Sequence, residues 1–302
     1  MTRATRGSFS ASAFLALLGG ALGISFAPIF VEFGSRADGL GPSAAGFWRM
    51  SLAGVVFLAL GRRVSRPDSG PDGRGLFALL LCAGVCFAGD LIAWHWSFHY
   101  TNLANATLLA NCSTVFVVLA GWLLFGERFR SLFVVGAALA IIGVVFLLGA
   151  GARDDAATLR GDLLGLLTAI FYGGYLIAVK VLRRRVSTVT IMQATCITSA
   201  PILGAAAWIA DETILPHSAS GWGAMIGLAL VSQCMGQALI AMALATLPAG
   251  FAAVTLLFQP VVVALLQWVF FDKVLLPGQL LAGAVVLVGI GMARVGSRPP
   301  RS

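Results

Sequence analysis

The sequence predicts an all-α polytopic membrane protein with ten transmembrane helices in two inverted five-helix repeats. Three observations predict it. Apolar runs of about 20 residues recur along the whole 302-residue chain, only 11% of the residues are charged, and segments near 145 residues apart resemble each other. A soluble domain carries roughly 45–50% apolar and about 25% charged residues; here 59% are hydrophobic. The excess arrives in lengths that match a hydrocarbon layer about 30 Å thick. Helices follow because a bilayer cannot hydrate unpaired backbone groups. Runs such as AIIGVVFLL do not alternate as barrel strands do.

The first span is expected at 11–32, after Arg3 and Arg6. Its apolar run is too long for a signal-peptide core, and no soluble domain follows. Span two, 43–61, carries Trp48 and Arg49. Span three, 75–99, contains CFAGDLIAWHWSFH, in which Asp90 and His95 interrupt a hydrophobic run. Span four, 102–124, holds Asn111 and is followed by FGER; span five covers 131–149. Span six, 161–181, brings Tyr172 and Tyr175. Span seven, 189–209, contains Pro201. Span eight, 222–246, carries Gln233 and Gln237. Spans nine and ten lie at 250–271 and 277–295. Pro28, Pro201 and Pro260 are expected to bend their helices at little cost. Gly19, Gly23, Gly161, Gly165, Gly173 and Gly174 suit close helix contacts.

Loop charge sets the expected orientation. Fifteen basic residues fall on the N-terminal side: Arg3, Arg6, Arg62, Arg63, Arg66, Arg74, Arg128, Arg130, Lys180, Arg183, Arg184, Arg185, Arg294, Arg298 and Arg301. Arg36, Arg153, Arg160 and Lys273 fall on the other. Positive loops stay cytoplasmic, so both termini are expected inside. The net charge of +8 is therefore a topology signal and no sign of nucleic-acid binding. All five cysteines lie in apolar runs, which indicates no disulfide framework. His95 and His99 are four apart but number too few for a metal site; both read as interfacial. No metal or cofactor is expected.

The halves correspond. LLGGALGISF at 17–26 matches LLGLLTAIFY at 163–172, FGER at 125–128 matches FFDK at 270–273, and GAALAIIG at 136–143 matches AGAVVLVG at 282–289. Residues 1–150 and 151–302 thus form two repeats of five spans, and an odd span number inverts the second copy. Inverted repeats are typical of transporters whose site lies near the midplane. These features, with PVVVALLQWVFF at 260–271, resemble the EamA branch of the drug/metabolite transporter superfamily, and within it most the bacterial aromatic amino-acid exporters. The resemblance implies metabolite export across the bacterial inner membrane, with spans one to four and six to nine around the cavity and spans five and ten bracing it. Thr114 stands where many members have a proline matching Pro260, so the first half is expected to lack one kink.

Depth estimates at about 1.5 Å per residue bring the intramembrane polar groups to overlapping levels. Arg49 comes out roughly 9 Å from the end of its span, Asp90 roughly 14 Å and Asn111 roughly 13 Å. Tyr172, Tyr175, Gln233 and Gln237 fall between roughly 16 and 22 Å. Intramembrane ionisable groups face partners or wet cavities and are functional candidates. Cys82, Cys86, Asp90 and Trp94 share one helix stripe. Arg49 has two candidate partners, Asp90 and Glu32. The candidate substrate-binding set is Asp90, Trp94, Trp48, Arg49, Asn111, Tyr172, Tyr175, Gln233 and Gln237. Asp90 would accept from an ammonium, Arg49, Asn111 or Gln237 would donate to a carboxylate, and the aromatics would hold a ring.

A membrane enzyme would cluster acid, base and nucleophile, and a channel would show a filter; neither pattern is present. The expectation is a secondary carrier of small organic metabolites, amino acids with a preference for aromatic ones, working by alternating access in the lipid bilayer. The alternative is an organic-cation exporter of the same fold. Protons are a candidate coupling partner through Asp90. GERFR at 126–130 reads as a turn with Glu127 paired to an arginine.

Overall fold

The computed structural model describes residues 11–61, 73–97, 100, 103–149 and 159–297. His99 and eight of the counted arginines (Arg3, Arg6, Arg62, Arg63, Arg66, Arg153, Arg298 and Arg301) lie outside the described residues. The described chain is helical, with two isolated β-bridges and no strand. Ten helical stretches are long and apolar enough to cross a membrane, and each overlaps one expected span.

In chain order the helices are α1 (Ala11–Ser25), α2 (Ala27–Asp38), α3 (Pro42–Gly61), α4 (Gly73–Ser97), α5 (Leu103–Asn111), α6 (Ser113–Phe125), α7 (Ser131–Gly149) and α8 (Leu159–Leu182). There follow α9 (Thr188–Ile209), α10 (Ala219–Gly227), a π-helical segment (Leu228–Gln237), α11 (Ala238–Leu244), α12 (Ala249–Leu256), α13 (Phe258–Phe271) and α14 (Pro277–Gly296). The first span is thus α1 plus α2, with a bend at Phe26 just before Pro28. The proline brings no amide to the ladder, so the helix yields there. Pro201 sits within a continuous α9.

Spans four and nine are both broken, which overturns the expectation that the first half lacks one kink. Cys112 separates α5 from α6 with φ −60° and ψ −16°; Leu257 separates α12 from α13 with φ −62° and ψ −7°. At each break the amide reaches back three residues, Cys112 to Leu109 O at 3.0 Å and Leu257 to Val254 O at 3.2 Å. At Cys112 this tighter 3₁₀-type bond turns the chain without proline, whereas the break at Leu257 falls where the expected bend at Pro260 leaves Leu256 O without an amide. Where the two broken spans cross, Thr114 Oγ1 donates to Ala253 O at 3.3 Å.

The helix contacts come in repeat-related pairs. The first span packs on the π segment of the eighth, and α8 of the sixth packs on α4 of the third. α3 packs on α9, α6 on α12, and α7 on α14. Lipid removes most of the hydrophobic drive between helices, so close van der Waals approach carries these contacts. A Cβ on Gly289 would lie 2.5 Å from the Ala140 amide nitrogen, and one on Gly23 would lie 2.9 Å from Gly236 Cα. Only hydrogen fits at those two crossings.

Carboxylates cap helices of other spans. Asp38 Oδ2 accepts from the His217 and Ser218 amides ahead of α10, at 3.0 and 3.1 Å. Glu212 Oε2 accepts from the Ala44 amide in the first turn of α3 at 2.8 Å. Glu127 accepts from Ala249 and Gly250 in the first turn of α12, at 2.6 and 3.0 Å. Unpaired amides and the helix dipole make each N-terminus a seat for negative charge. The expected arginine partner of Glu127 is therefore replaced by backbone amides.

Candidate functional site

A cavity of about 610 Å³ opens at the end of the molecule where α2 and α13 finish. Its wall reaches the exposed residues Lys273 and Val274 at the mouth and descends to Ile24, Leu176, Gln237 and Ala253. The far end, where α1 begins, is sealed. There Phe129 stacks on Phe133 with ring centroids 3.9 Å apart, Arg294 lies 3.9 Å over the Phe14 ring, and Arg130 N donates to Gly296 O.

Six of the nine candidate residues lie on the cavity wall: Arg49, Asp90, Trp94, Asn111, Tyr172 and Gln237. Arg49 and Asp90 come from adjacent spans and carry opposite charges, yet they close no ion pair. The one salt bridge among the described residues joins Arg36 to Glu32 at 2.7 Å. Both expected partners of Arg49 are thereby set aside. Instead its Nε donates to Gln233 Oε1 at 2.9 Å, and its guanidinium carbon lies 5.3 Å over the Phe87 ring. The two terminal nitrogens make no further hydrogen bond to the described residues.

Gln233 and Gln237 both lie in the π segment of span eight. A π-helix closes i→i+5 bonds and widens the turn, and such segments are frequent at functional sites. Gln233 is fully buried behind Arg49, off the wall. Gln237 is 1% exposed and lines the cavity floor. Gln237 lies beside the Tyr175 hydroxyl and Gln259 beside Tyr172, both short of well-formed hydrogen bonds. A buried polar group left unpaired costs about 1–3 kcal/mol. Such groups around a hollow are suited to water or a polar solute.

Trp48 and Tyr175 are off the wall. The Trp48 indole donates to Ile214 O at 2.7 Å and packs edge-on to Trp222 at 4.7 Å. Tyr175 is 1% exposed and packs on Phe87 at 4.9 Å. Asn111 lines the wall while its amide nitrogen donates to Thr107 O at 2.7 Å. His95, expected at the interface, is 4% exposed beside Trp94 on the wall.

Sequence reasoning missed Gln259, Gln267, Gln279 and Thr107, all on the wall. The same depth count applied to span nine places Gln259 roughly 18 Å below the end of α13. The wall also departs from the expected division of spans. α9 contributes no residue, because it packs behind α3 and α4, whereas Leu147 of α7 and Gln279 of α14 reach the mouth.

Comparison with known proteins agrees with this architecture. A model of the EamA-like transporter family matches twice, over residues 11–149 and 159–295. The chain is 26% identical over 215 residues to the pseudopaline exporter CntI of Pseudomonas aeruginosa, covering 70% of this chain and 72% of that protein. It is 26% identical over 263 residues to a probable biotin transporter of the same species, covering 84% and 88%. It is 25% identical over 260 residues to the uncharacterized transporter YwfM of Bacillus subtilis, covering 82% and 83%. A solved structure described only as a crystal structure of protein superposes with a TM-score of 0.81 at 20% identity, over 97% of this chain and 99% of that one; it supports the fold alone. Two tandem family matches, ten membrane-length helices and a largely apolar cavity holding a few polar groups between them lead to one conclusion: the chain belongs to the EamA-like transporter family and is a multi-pass membrane transporter of small molecules.

Proposed function

We propose that this transporter exports zwitterionic metabolites, amino acids with a preference for aromatic ones, across the inner membrane by alternating access, with both termini cytoplasmic. One observation carries the reading: Arg49 and Asp90 face one cavity without pairing with each other. A zwitterion fills that gap. Its carboxylate meets the terminal nitrogens of Arg49, where charge-assisted bonds are strong. Its ammonium meets Asp90. Trp94 and Tyr172 line the same wall and offer ring faces, each aromatic pair worth about 0.5–1.5 kcal/mol beyond burial. Gln237 and Asn111 add neutral donors. The name of the pseudopaline exporter supports the export direction.

Efflux from liposomes holding only this protein tests the reading. Preloaded phenylalanine is expected to leave faster than threonine, and a quaternary ammonium dye to stay. Dye efflux without phenylalanine efflux would favour the organic-cation reading, which Asp90 beside Trp94 and Tyr172 also supports through cation–π attraction. Dependence of phenylalanine efflux on an imposed pH gradient, lost in Asp90→Asn, would support proton coupling through Asp90.

A further inference from the structure

We infer that Glu127 and Lys180 form a latch holding the cavity closed at the end where α1 begins, and that Asp272 supplies the repeat-related latch when the molecule opens the other way. The inference rests on the alternating-access reading but concerns residues outside the cavity.

The latch grips both ends of the short 245–248 turn. Lys180 Nζ, on a residue 7% exposed, donates to Leu244 O at 2.9 Å and Leu247 O at 2.5 Å, at the C-terminal end of α11. Glu127 takes the first amides of α12, Ala249 and Gly250. Each charge faces the helix end of opposite sign. The carboxylate sits in a slot made by glycines: a Cβ on Gly121 would lie 2.5 Å from Glu127 Oε2, and one on Gly250 would lie 2.7 Å from the Phe129 ring. Glu127 belongs to the first repeat, while Lys180 and both gripped helices belong to the second. Opening the sealed end requires α6 and the start of α12 to part, and Glu127 joins them.

The two repeats hold the same element in different states. The breaks at Cys112 and Leu257 set the register at an offset of 145 residues. That offset places Glu127 on Asp272, and Ala249 and Gly250 on Ala104 and Asn105 in the first turn of α5. α13 runs one residue longer than α6, so the left-handed caps fall one position apart in that register: Gly126, before Glu127, ends α6 at φ 62°, whereas Asp272 itself ends α13 at φ 53°. Glu127 is engaged; Asp272 is exposed, and its side chain makes no hydrogen bond or ion pair with the described residues, its amide alone closing the end of α13 on Gln267 O. The structure thus shows one latch shut at the sealed end and its counterpart free at the open end, as a pair of exclusive states requires.

The test uses the full chain with its five native cysteines replaced and one reporter cysteine at a time. Gln267→Cys reports the mouth, and Val117→Cys reports the sealed half, where Val117 is fully buried. In Glu127→Gln one carboxylate oxygen becomes an NH₂ that opposes an amide, so at most one of the two bonds survives. Maleimide labelling at Gln267→Cys is expected to slow at least threefold and at Val117→Cys to quicken at least threefold. Asp272→Asn alone is expected to change neither rate, and added to Glu127→Gln to return both toward the parent. A fold defect at Glu127 would not be rescued by a change at the opposite end. Unchanged rates in Glu127→Gln, faster Val117→Cys labelling without slower labelling at the mouth, or no reversal by Asp272→Asn would each overturn the proposal. If Glu127→Gln does not fold, Lys180→Met is read by the same two reporters with the same expectations. Labelling needs no substrate, so the latch can fail while the efflux reading stands, and the reverse.

Discussion

At the end where α1 begins, the ring of Phe129 lies 3.9 Å from that of Phe133, and Glu127 caps α12. At the opposite end the corresponding positions are Asp272 and Val274, 145 residues on, and Gln279, 146 residues on in the match of α7 with α14. Val274 is 79% exposed, Gln279 is no aromatic, and the Asp272 side chain has no bonded partner among the described residues. The acid is thus present in both repeats, while the engaged cap and the aromatic plug are seen in the first alone. If the molecule alternates as proposed, a duplicated acid lets the two ends exchange states, and an unduplicated plug biases that exchange toward the conformation seen here, sealed where α1 begins. On that reading inverted repeats supply two states, and departures from the repeat decide which one predominates.

The comparison can be broken most severely through what the two ends share. α7 and α14 brace the bundle, with Gly136 and Gly289 at backbone contact. Gly289→Leu would drive a branched side chain into the Ala140 backbone 2.5 Å away, and no folded monomer is expected by size-exclusion chromatography. Properly folded, active Gly289→Leu protein would show that the brace is dispensable.

Next come the cavity charges. Arg49→Ala and Asp90→Asn are each expected to lower amino-acid efflux at least tenfold while both reporter cysteines keep their labelling rates. Reduced efflux accompanied by altered labelling would mean that these residues act on the state of the ends instead of on the solute.

The plug should matter less. Phe129→Ala removes a stacked pair worth about 0.5–1.5 kcal/mol. Up to roughly a tenfold rise in Val117→Cys labelling is expected, since about 1.4 kcal/mol is a factor of ten. No change would mean that the latch alone seals that end. The smallest effect is expected at the crossing of the broken spans. Thr114→Val loses one hydrogen bond to Ala253 O, and such bonds average about 0.6 kcal/mol in a membrane protein. A drop in melting temperature of a degree or two, with efflux intact, would fit. A large efflux loss would make the crossing a hinge.

Much of the scaffold was legible before any coordinates. Span number and order follow from apolar length, because lipid imposes a minimum helix on every crossing. The 145-residue correspondence was visible in FGER and FFDK. Depth counting brought Arg49, Asp90, Asn111, Tyr172 and Gln237 to overlapping levels, and these line one wall. It could not separate Tyr172 from Tyr175, or Gln237 from Gln233. Each pair differs in the direction a side chain takes around the helix, and the π segment alters that direction locally. The break at Cys112 was also hidden, since no proline marks it.

From the sequence alone came the ten crossings, their alternation and the buried charges, all dictated by the local cost of placing backbone and ions in hydrocarbon. Tertiary structure decided what those charges face. Arg49 turned from its expected acids to Gln233 and Phe87, Glu127 from an arginine to the amides of α12, and the cavity opened at one end only. Those outcomes depend on helix crossings between residues 38 to 184 positions apart, where a glycine contact or a helix end sets the partner, and no local pattern carries that information.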